Sequence, residues 1–507
     1  MPDPVHDAPD GWAVHAVTRD GISVVAVAGE VDVRTAPALA AELIAQVELG
    51  PSALLVDLGQ VEFFGSSDVC ALLDVHDRAV HRGVALHLVA PGPNVVRTLE
   101  ISGLTGVVTR HETLRDAVRC VSPAAHHRVK IALVSEHASP LGAGFGQGAH
   151  IAQLSTALTR LGHEVVVYTR KDDPSAPDRV RTDAGYDVVH VRAGPACRLP
   201  EEEVAGRLGE FAEFLVREWR AGPPDVVHSY HWTSGLAGVI AAHVVGVPVV
   251  HTYNALGTGR AGYRTDAEAL AARRASWIVA SNAQEAAELG RLGVRRTRVS
   301  VVPCGVDTGL FTPDGPAAPR NALRRIVATG ELTCHDGFPD AVAAVSTMDD
   351  TELVVVGGGD RIAGLRKLAD EFGALDRVVF AGVVPPAGLP ALVRSADVVV
   401  CVPWCDPFGV AALQAMACGV PVVTTAVGAL TDVVVHNVTG VHVPAGKPRV
   451  LARVLRRLLA DGTWREELGI AARDRVVARY SLDRVAKEAA AVYERLVAGC
   501  GPGRVVG

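Results

Sequence analysis

The chain has 507 residues and a net charge of -7, with 21% charged and 5% aromatic residues. This length exceeds a single core, so two to four domains are expected, and the composition is typical of globular α/β proteins and not of disordered chains. The basic residues are scattered and not gathered into a patch, which argues against nucleic acid as a partner.

The sequence shows no pattern of an export signal, a membrane-spanning segment or a zinc-binding motif. Its first ten residues lack a basic region followed by an apolar one, and the longest apolar stretch, 236–250, is shorter than the roughly 18–20 residues of a spanning helix. We therefore expect a cytoplasmic protein without a transmembrane segment. Nine cysteines without a C-x-x-C pair predict neither a disulfide framework nor a structural zinc site.

The first predicted unit, 11–121, alternates strand and helix patterns as a small α/β sandwich does. Its predicted strands are 22–28, 53–58 and 85–90, and its predicted helices are 36–48 and 69–82.

Two segments of this unit, GEVDVRTAPAL at 29–39 and VDLGQVEFFGSSD at 56–68, resemble the STAS domain of bacterial anti-sigma factor antagonists. The resemblance implies that Ser66 is phosphorylated by a partner kinase, and that the domain binds an anti-sigma or kinase-type protein. Gly65 and Asp68 depart from the family's Asp-Ser-Ser-Gly loop. Phosphorylation of Ser66 and simple capping of the following helix both remain open.

A polar linker, 122–128, leads into a strand, a glycine-rich loop at 142–148, a helix at 150–161 and a second strand. This order predicts the start of a Rossmann-like domain, which we place at 129–308. Its predicted strands are 129–135, 164–169, 187–191, 225–228, 247–251, 277–280 and 299–303.

A second doubly wound domain is predicted at 309–480, because strands and helices alternate there again. It is followed by a helix at 481–498 and a tail at 499–507. The predicted strands are 325–329, 352–356, 378–381, 397–401 and 421–424.

The stretch 404–421 follows one of these strands and opens a helix, which is where open parallel sheets bind small molecules. Asp406 and Gln414 stand eight residues apart, a little over two helical turns. We expect one to hold a sugar and the other a nucleoside.

The second and third domains together are similar to glycosyltransferase family 4, with a GT-B fold of two Rossmann-like domains, over about 129–497. The motifs that carry the resemblance are SEHASPL at 135–141, GHEV at 162–165, PCGVD at 303–307, RSAD at 394–397, the stretch 404–421 and VTG at 438–440.

The resemblance implies transfer of a sugar from a nucleotide diphosphate donor with retention, usually without a metal, so that no cofactor is expected. Asp406 and Gln414 occupy the places of the family's two glutamates, the first for the donor sugar and the last for the ribose. Backbone amides of Phe408, Gly409 and Val410 are predicted to meet sugar hydroxyls.

The implied diphosphate site departs most from the family. Its Arg and Lys are replaced by Glu331 and Asp336, and exchanging cations for acids removes attraction worth about 1 to 4 kcal/mol per charge pair, depending on the local dielectric. Either these acids hold Mg²⁺ against the diphosphate, which is the minor alternative, or they are surface acids in a disused site.

Two further positions differ. Phe145 stands beside Gly146 where the family has paired glycines for the donor phosphate, and Asn254 stands where it has an active-site His. Asn254 is kept as a catalytic candidate because it can still hydrogen-bond a hydroxyl, although it cannot take a proton. His251 is expected in the core. Arg260 and Arg264 are candidates for binding a phosphorylated acceptor.

Two functions remain open at this stage. One is a glycosyltransferase that uses a nucleotide sugar, with a regulatory STAS module. The other is a catalytically degenerate glycosyltransferase that serves as a regulatory or scaffold protein in STAS-type partner switching.

Overall fold

The structure, a computed structural model, describes residues 12–19, 21–32, 34–82, 84–102, 108–121, 128–142, 146–254, 256–257, 262–330, 332, 337–359 and 361–499. The chain forms two compact units, Met1–His126 and His127–Gly507.

The first unit has one sheet of five strands in the order β1-β2-β3-β4-β5. The first pair is antiparallel and the others are parallel. Its elements are β1 (Ala13–Arg19), β2 (Ile22–Val31), α1 (Ala36–Glu48), β3 (Ala53–Phe64), α2 (Ser66–Arg82), β4 (Ala85–Val89), α3 (Pro93–Ile101), β5 (Thr109–His111) and α4 (Leu114–Val121).

The helices of this unit cover both faces of the sheet. Leu54 and Leu88 lie in the core with residues of α1, α2 and α3, whereas Leu55 and Val89, one position along their strands, pack with Ala117 of α4. Alternate strand residues point to opposite faces, so three helices lie on one face and α4 lies on the other.

The second unit begins with a Rossmann-like half, here called the amino half. Its eight strands have the order β13-β12-β11-β10-β6-β7-β9-β8, parallel except for the edge pair β8 and β9. Its elements are β6 (Lys130–Val134), α5 (Gly146–Arg160), β7 (Glu164–Arg170), β8 (Arg179–Arg181), β9 (Asp187–Val191), α6 (Glu201–Ala205), α7 (Leu208–Ala221), β10 (Val226–Tyr230), α8 (His231–Val245), β11 (Val249–Thr252), α9 (Tyr263–Arg274), β12 (Trp277–Ala280), α10 (Ala283–Arg291) and β13 (Val299–Val301).

The carboxyl half is a parallel sheet of six strands in the order β16-β15-β14-β17-β18-β19. Its elements, with the helices that follow it, are β14 (Arg324–Thr329), α11 (Phe338–Val345), β15 (Thr351–Val356), α12 (Ile362–Glu371), β16 (Val378–Gly382), α13 (Leu389–Arg394), β17 (Val398–Cys401), α14 (Val410–Ala417), β18 (Val422–Thr425), α15 (Leu430–Val433), β19 (Val441–Val443), α16 (Pro448–Ala460), α17 (Gly462–Arg479) and α18 (Leu482–Gly499).

The last helix, α18, returns to the amino half. Its apolar stripe, including Leu482, Ala486 and Tyr493, lies in one buried cluster with residues of β6 and α5. The Tyr493 hydroxyl is 2.7 Å from His228 Nδ1 of β10. The carboxyl-terminal helix therefore completes the core of the amino half.

Several elements differ from the sequence prediction. Strand β3 runs to Phe64, six residues beyond the predicted end, because it pairs with β2 through two register shifts. Helix α2 begins at Ser66, three residues earlier than predicted. The strand β1 and the three-residue strands β5, β8 and β19 were not predicted. Strand β8, with the sequence RVR, has no apolar run and is held at the edge by ion pairs of Arg179 and Arg181 with Asp187.

Candidate functional site

The start of α10 in the amino half touches the loop and the short helix α15 that follow β18 in the carboxyl half. The Ala283 amide donates to Asp432 Oδ2 at 2.6 Å, and the Gly428 amide donates to Gln284 Oε1 at 3.2 Å. These hydrogen bonds bring the carboxyl ends of strands from both sheets to one cleft, where parallel sheets bind ligands.

A cavity of about 220 Å³ opens on this cleft. Gly146, the first residue of α5, contributes to its lining from the amino half, and Asp406 and Phe408 contribute from the loop between β17 and α14. Gly337 and Phe338 contribute the beginning of α11. At Gly337, φ is +72° and a Cβ atom would overlap the Val402 carbonyl, so only glycine fits this part of the wall.

Asp406 is half-buried in the loop that precedes α14, and its side chain forms hydrogen bonds within that loop. Its Oδ1 accepts hydrogen bonds from the amides of Phe408 at 2.9 Å and Gly409 at 2.8 Å. Burial raises the pKa of the Asp406 carboxyl above its ordinary value, and these two hydrogen bonds oppose part of the rise. Two of the three amides predicted for sugar hydroxyls therefore already have a partner, and Oδ2 is the oxygen that these bonds leave for a ligand.

Gln414 lies one turn before the end of α14, with 6% of its surface exposed. Its Oε1 is buried and has no hydrogen-bond partner in the described part of the chain. It is not among the residues that line the 220 Å³ cavity. An unsatisfied buried carbonyl of this kind costs about 1–3 kcal/mol, which a hydroxyl donor from a ligand would recover.

Asn254 follows β11 in the left-handed region, with φ of 63°, and it is 6% exposed. Its Nδ2 donates to Gln147 Oε1 at 2.9 Å, and Gln147 Nε2 donates to Ser135 Oγ at 3.0 Å. Positive φ at a non-glycine residue stores about 1–3 kcal/mol and is common at functional sites. The chain of side chains fixes Asn254 between β11 and the start of α5.

His251 is fully buried, and its Nδ1 lies 2.9 Å from Ser229 Oγ. This agrees with its expected place in the core.

Arg264, an acceptor candidate, is paired within the amino half. Its Nε donates to Glu268 Oε1 at 2.9 Å, and its Nη1 lies 3.8 Å from Glu201. A phosphorylated acceptor at this position would have to compete with both carboxylates.

Sequence reasoning missed several cleft residues. The ring of His150 on α5 stacks against that of Phe408, and Asn282 Nδ2 donates to the Pro407 carbonyl at 3.5 Å. Nothing in the sequence pattern marks His150, because it acquires its place beside Phe408 only when the two halves meet. Asn282 has a local signal, since it caps α10 by accepting from the Glu285 amide.

Comparison with known proteins identifies the second unit. The sequence profile of Glycosyltransferase Family 4 matches residues 146–310, and that of Glycosyl transferases group 1 matches residues 321–475. A D-inositol 3-phosphate glycosyltransferase of Xylanimonas cellulosilytica is 35% identical over 381 residues, which cover 68% of this chain and 91% of the relative. The chain belongs to glycosyltransferase family 4.

Other relatives of this family 4 chain agree. A D-inositol 3-phosphate glycosyltransferase of Jonesia denitrificans is 33% identical over 419 residues, covering 74% of this chain and 97% of the relative. The structure of a sucrose-phosphate synthase from Thermosynechococcus elongatus has 29% identity and a TM-score of 0.68 over 73% of this chain and 100% of that one. Anabaena HepE in complex with UDP and glucose, at 18% identity and a TM-score of 0.59 over 72% of this chain and 100% of that one, shares the fold. The two halves form the GT-B fold.

Four predicted positions of the family 4 site lie outside the described residues. They are Phe145, Arg260, Glu331 and Asp336. Among the described lining residues of the cavity there is no Lys or Arg, and Asp406 is the one carboxylate. None of the helices in the described ranges combines the length and apolar character that crossing a membrane requires.

The first unit of this family 4 chain matches the STAS domain over residues 13–117. Ser66 is the first residue of α2, and the Val69 amide donates to the Gly65 carbonyl at 3.3 Å. Phe63, at the end of β3, is 53% exposed beside this helix start.

Proposed function

We propose that the chain transfers a glycosyl group from a nucleoside diphosphate sugar to a hydroxyl group of a small polyol. The observation that carries the proposal is the cavity at the cleft, which combines Gly146 of one half with the Asp406 loop and the start of α11 of the other. Relatives that are 33–35% identical over most of their length carry the name D-inositol 3-phosphate glycosyltransferase.

The donor diphosphate is assigned to the start of α11. This helix begins at Phe338 after Gly337, and both residues line the cavity together with Gly330. The positive end of the helix dipole and the first-turn amides favour an anion, with a contribution of about 0.3–1 kcal/mol, up to about 2. This compensates in part for the cations that the sequence lacks at Glu331 and Asp336.

Asp406 and Gln414 are assigned to the two ends of the donor. Asp406 Oδ2 accepts hydrogen bonds from sugar hydroxyls. Val410 also lines the cavity and offers its backbone amide to the sugar. Gln414 does not line the cavity, so its buried Oε1 would accept from a ribose hydroxyl only after the site adjusts to the donor.

The reaction breaks the bond between the anomeric carbon and the diphosphate oxygen and forms one to the acceptor oxygen. Asn254 has no basic nitrogen, so the proton of the acceptor hydroxyl does not pass to it. The departing diphosphate is the base that the reaction itself supplies. Asn254, held in its strained conformation by Gln147, orients the acceptor hydroxyl by hydrogen bonding.

The test is an assay of the full chain with uridine, guanosine and adenosine diphosphate sugars, with D-inositol 3-phosphate and unphosphorylated inositol as acceptors, with and without Mg²⁺. We expect a glycosylated acceptor by mass spectrometry with one donor, and none with Asp406→Ala. Absence of both transfer and donor hydrolysis with all donors would exclude the proposal for these substrates.

A second candidate function, nucleotide sensing by a catalytically degenerate enzyme, is favoured by the absence of Lys and Arg among the described lining residues of the cavity. It predicts saturable binding of a nucleoside diphosphate, measured by calorimetry, without transfer or hydrolysis.

We also infer that the STAS unit binds a regulatory protein and that phosphorylation of Ser66 controls this contact. A phosphate at the start of α2 would meet the positive end of the helix and alter the surface next to the exposed Phe63. The expected result is a phosphate on Ser66 in protein isolated from growing or stressed cells, absent in Ser66→Ala. Its absence under both conditions counts against this regulation. A cytoplasmic location follows for both proposals, because nucleotide sugars and protein kinases act there.

A further inference from the structure

Three metal-ligand side chains meet within the STAS unit. They are His87, His111 and Cys120, and one ligand atom from each lies within 4.8 Å of those of the other two. Neither the STAS resemblance nor the glycosyltransferase function accounts for this cluster.

The fold brings these residues to one face of the sheet. His87 on β4 pairs in register with Thr109 of β5, and His111 is two residues further along the same strand, so the two histidines point to the same face. Helix α4 covers that face through Ala117. Cys120 is three residues after Ala117 and therefore on the same side of α4.

The two imidazoles contact each other directly. His87 Nδ1 lies 3.0 Å from His111 Nε2, and their ring centroids are 5.2 Å apart. Metal ions bind imidazole in its neutral form, through a ring nitrogen.

We propose that His87, His111 and Cys120 bind a zinc ion, with a fourth position open to solvent beside the exposed Cys120. Zinc takes imidazole nitrogen at about 2.0–2.1 Å and thiolate sulfur at about 2.3 Å, which places neighbouring ligand atoms roughly 3.3–3.6 Å apart in a tetrahedron. The histidine nitrogens are already close to this separation. The Cys120 sulfur lies within 4.8 Å of both nitrogens, so zinc binding would draw it closer to them.

Binding would join β4 and β5 to α4, which packs on the face of the sheet that carries both histidines. The Cys120 thiol loses its proton to solvent as the zinc–sulfur bond forms, and the imidazoles bind through neutral nitrogen. Zinc would then stabilise the STAS unit by RT ln(1 + [Zn²⁺]/Kd), so the stability grows with the logarithm of the free zinc concentration once that concentration exceeds Kd.

The experiment uses the untagged full chain, freed of metal with a chelator and titrated with Zn²⁺ by calorimetry. We expect the wild type to bind one equivalent of zinc. The Kd should rise at least about 10–100-fold in His87→Gln and in Cys120→Ser, because even the loss of an outer-shell partner has an effect of that size. Loading with Co²⁺ should give a thiolate-to-metal charge-transfer band that disappears in Cys120→Ser.

Two exposed residues of the same unit supply matched controls, Cys70→Ser on α2 and His15→Gln on β1. Both should bind like the wild type. No stoichiometric binding, or binding that His87→Gln and Cys120→Ser leave unchanged, overturns the proposal. Circular dichroism of the metal-free proteins checks that the variants are folded. If His87→Gln does not fold, Cys120→Ser still tests the proposal, because Cys120 is exposed and its replacement should not disturb the fold.

Discussion

His150 and Phe408 stack their rings across the two halves of the glycosyltransferase unit, with centroids 6.2 Å apart and planes inclined by 29°. His150 lies on α5 of the amino half, and Phe408 lies in the loop that carries Asp406. Because Phe408 also lines the cavity, this contact links the packing of the halves to the shape of the site.

The first prediction concerns this contact. Aromatic pairs contribute about 0.5–1.5 kcal/mol beyond their buried area, so His150→Ala and Phe408→Ala should show a coupling energy in that range. The measurement is a double-mutant cycle on the free energy of unfolding in urea. Trp404, 58% exposed in the same loop, provides the control: His150→Ala combined with Trp404→Ala should be additive within about 0.3–0.5 kcal/mol. Additivity of the His150 and Phe408 changes would contradict the prediction.

Gln414→Leu should separate stability from function. The substitution removes a buried carbonyl oxygen without a partner, so the free energy of unfolding should stay the same or rise. A ribose hydroxyl would lose its acceptor at the same time, and nucleoside diphosphate affinity should fall about tenfold or more. Gln414→Glu is the comparison: it keeps an acceptor oxygen and should retain binding, but it buries a charge and lowers stability. Unchanged affinity in Gln414→Leu would argue against the ribose role.

Asp406 should act on structure through Oδ1 and on the donor through its charge. Asp406→Ala removes the acceptor of the Phe408 and Gly409 amides and should cost about 0.5–2 kcal/mol of stability, as removal of a helix cap does. Asp406→Asn keeps an acceptor oxygen and should be nearly as stable as wild type, yet transfer activity should drop because a neutral acceptor binds hydroxyls more weakly. Equal activity of Asp406→Asn and wild type would exclude a role for the charge.

Stability should fall on acidification partly because of His251. Its burial lowers the pKa of the folded state to about 4, below the ordinary 6.5. Below pH 6.5 the unfolded chain binds a proton that the folded chain does not, so stability is lost as pH falls from 6.5 towards 4 and is retained above 6.5. His251→Asn should reduce the loss between pH 7.5 and 5.0 by about 2 kcal/mol. Urea unfolding at pH 7.5 and pH 5.0 measures this loss of stability. His243 is exposed on α8, so His243→Asn should lose as much stability as the wild type. An equal dependence of stability on pH in all three proteins would refute the assignment to His251.

The fold could be predicted from the sequence because the signals for its strands, turns and helices are local and repeated. Alternating apolar strands, glycine-rich turns and helix starts fixed the α/β sandwich and the two Rossmann-like halves. The motifs around Asp406 and Gln414 sufficed for the family. Short edge strands such as β8 and β5 were not predicted, because a three-residue strand that pairs with a single neighbour needs no apolar run.

The candidate site was predicted in part. Asp406, Phe408, Val410 and Gly146 do line one cavity, but the sequence did not show that Asp406 engages the Phe408 and Gly409 amides or that Arg264 is paired with Glu268. Such contacts depend on side-chain geometry, which a motif does not specify.

The sequence by itself therefore determined the elements, their order and the family, because backbone propensity and hydrophobic period act over a few residues. Only the tertiary structure decided which distant residues meet. His150 reaches Phe408, Asn254 reaches Gln147, Tyr493 of the last helix reaches His228, and His87 and His111 reach Cys120. The reason is that such contacts arise when sheets and helices pack, and packing brings together side chains that no local spacing relates.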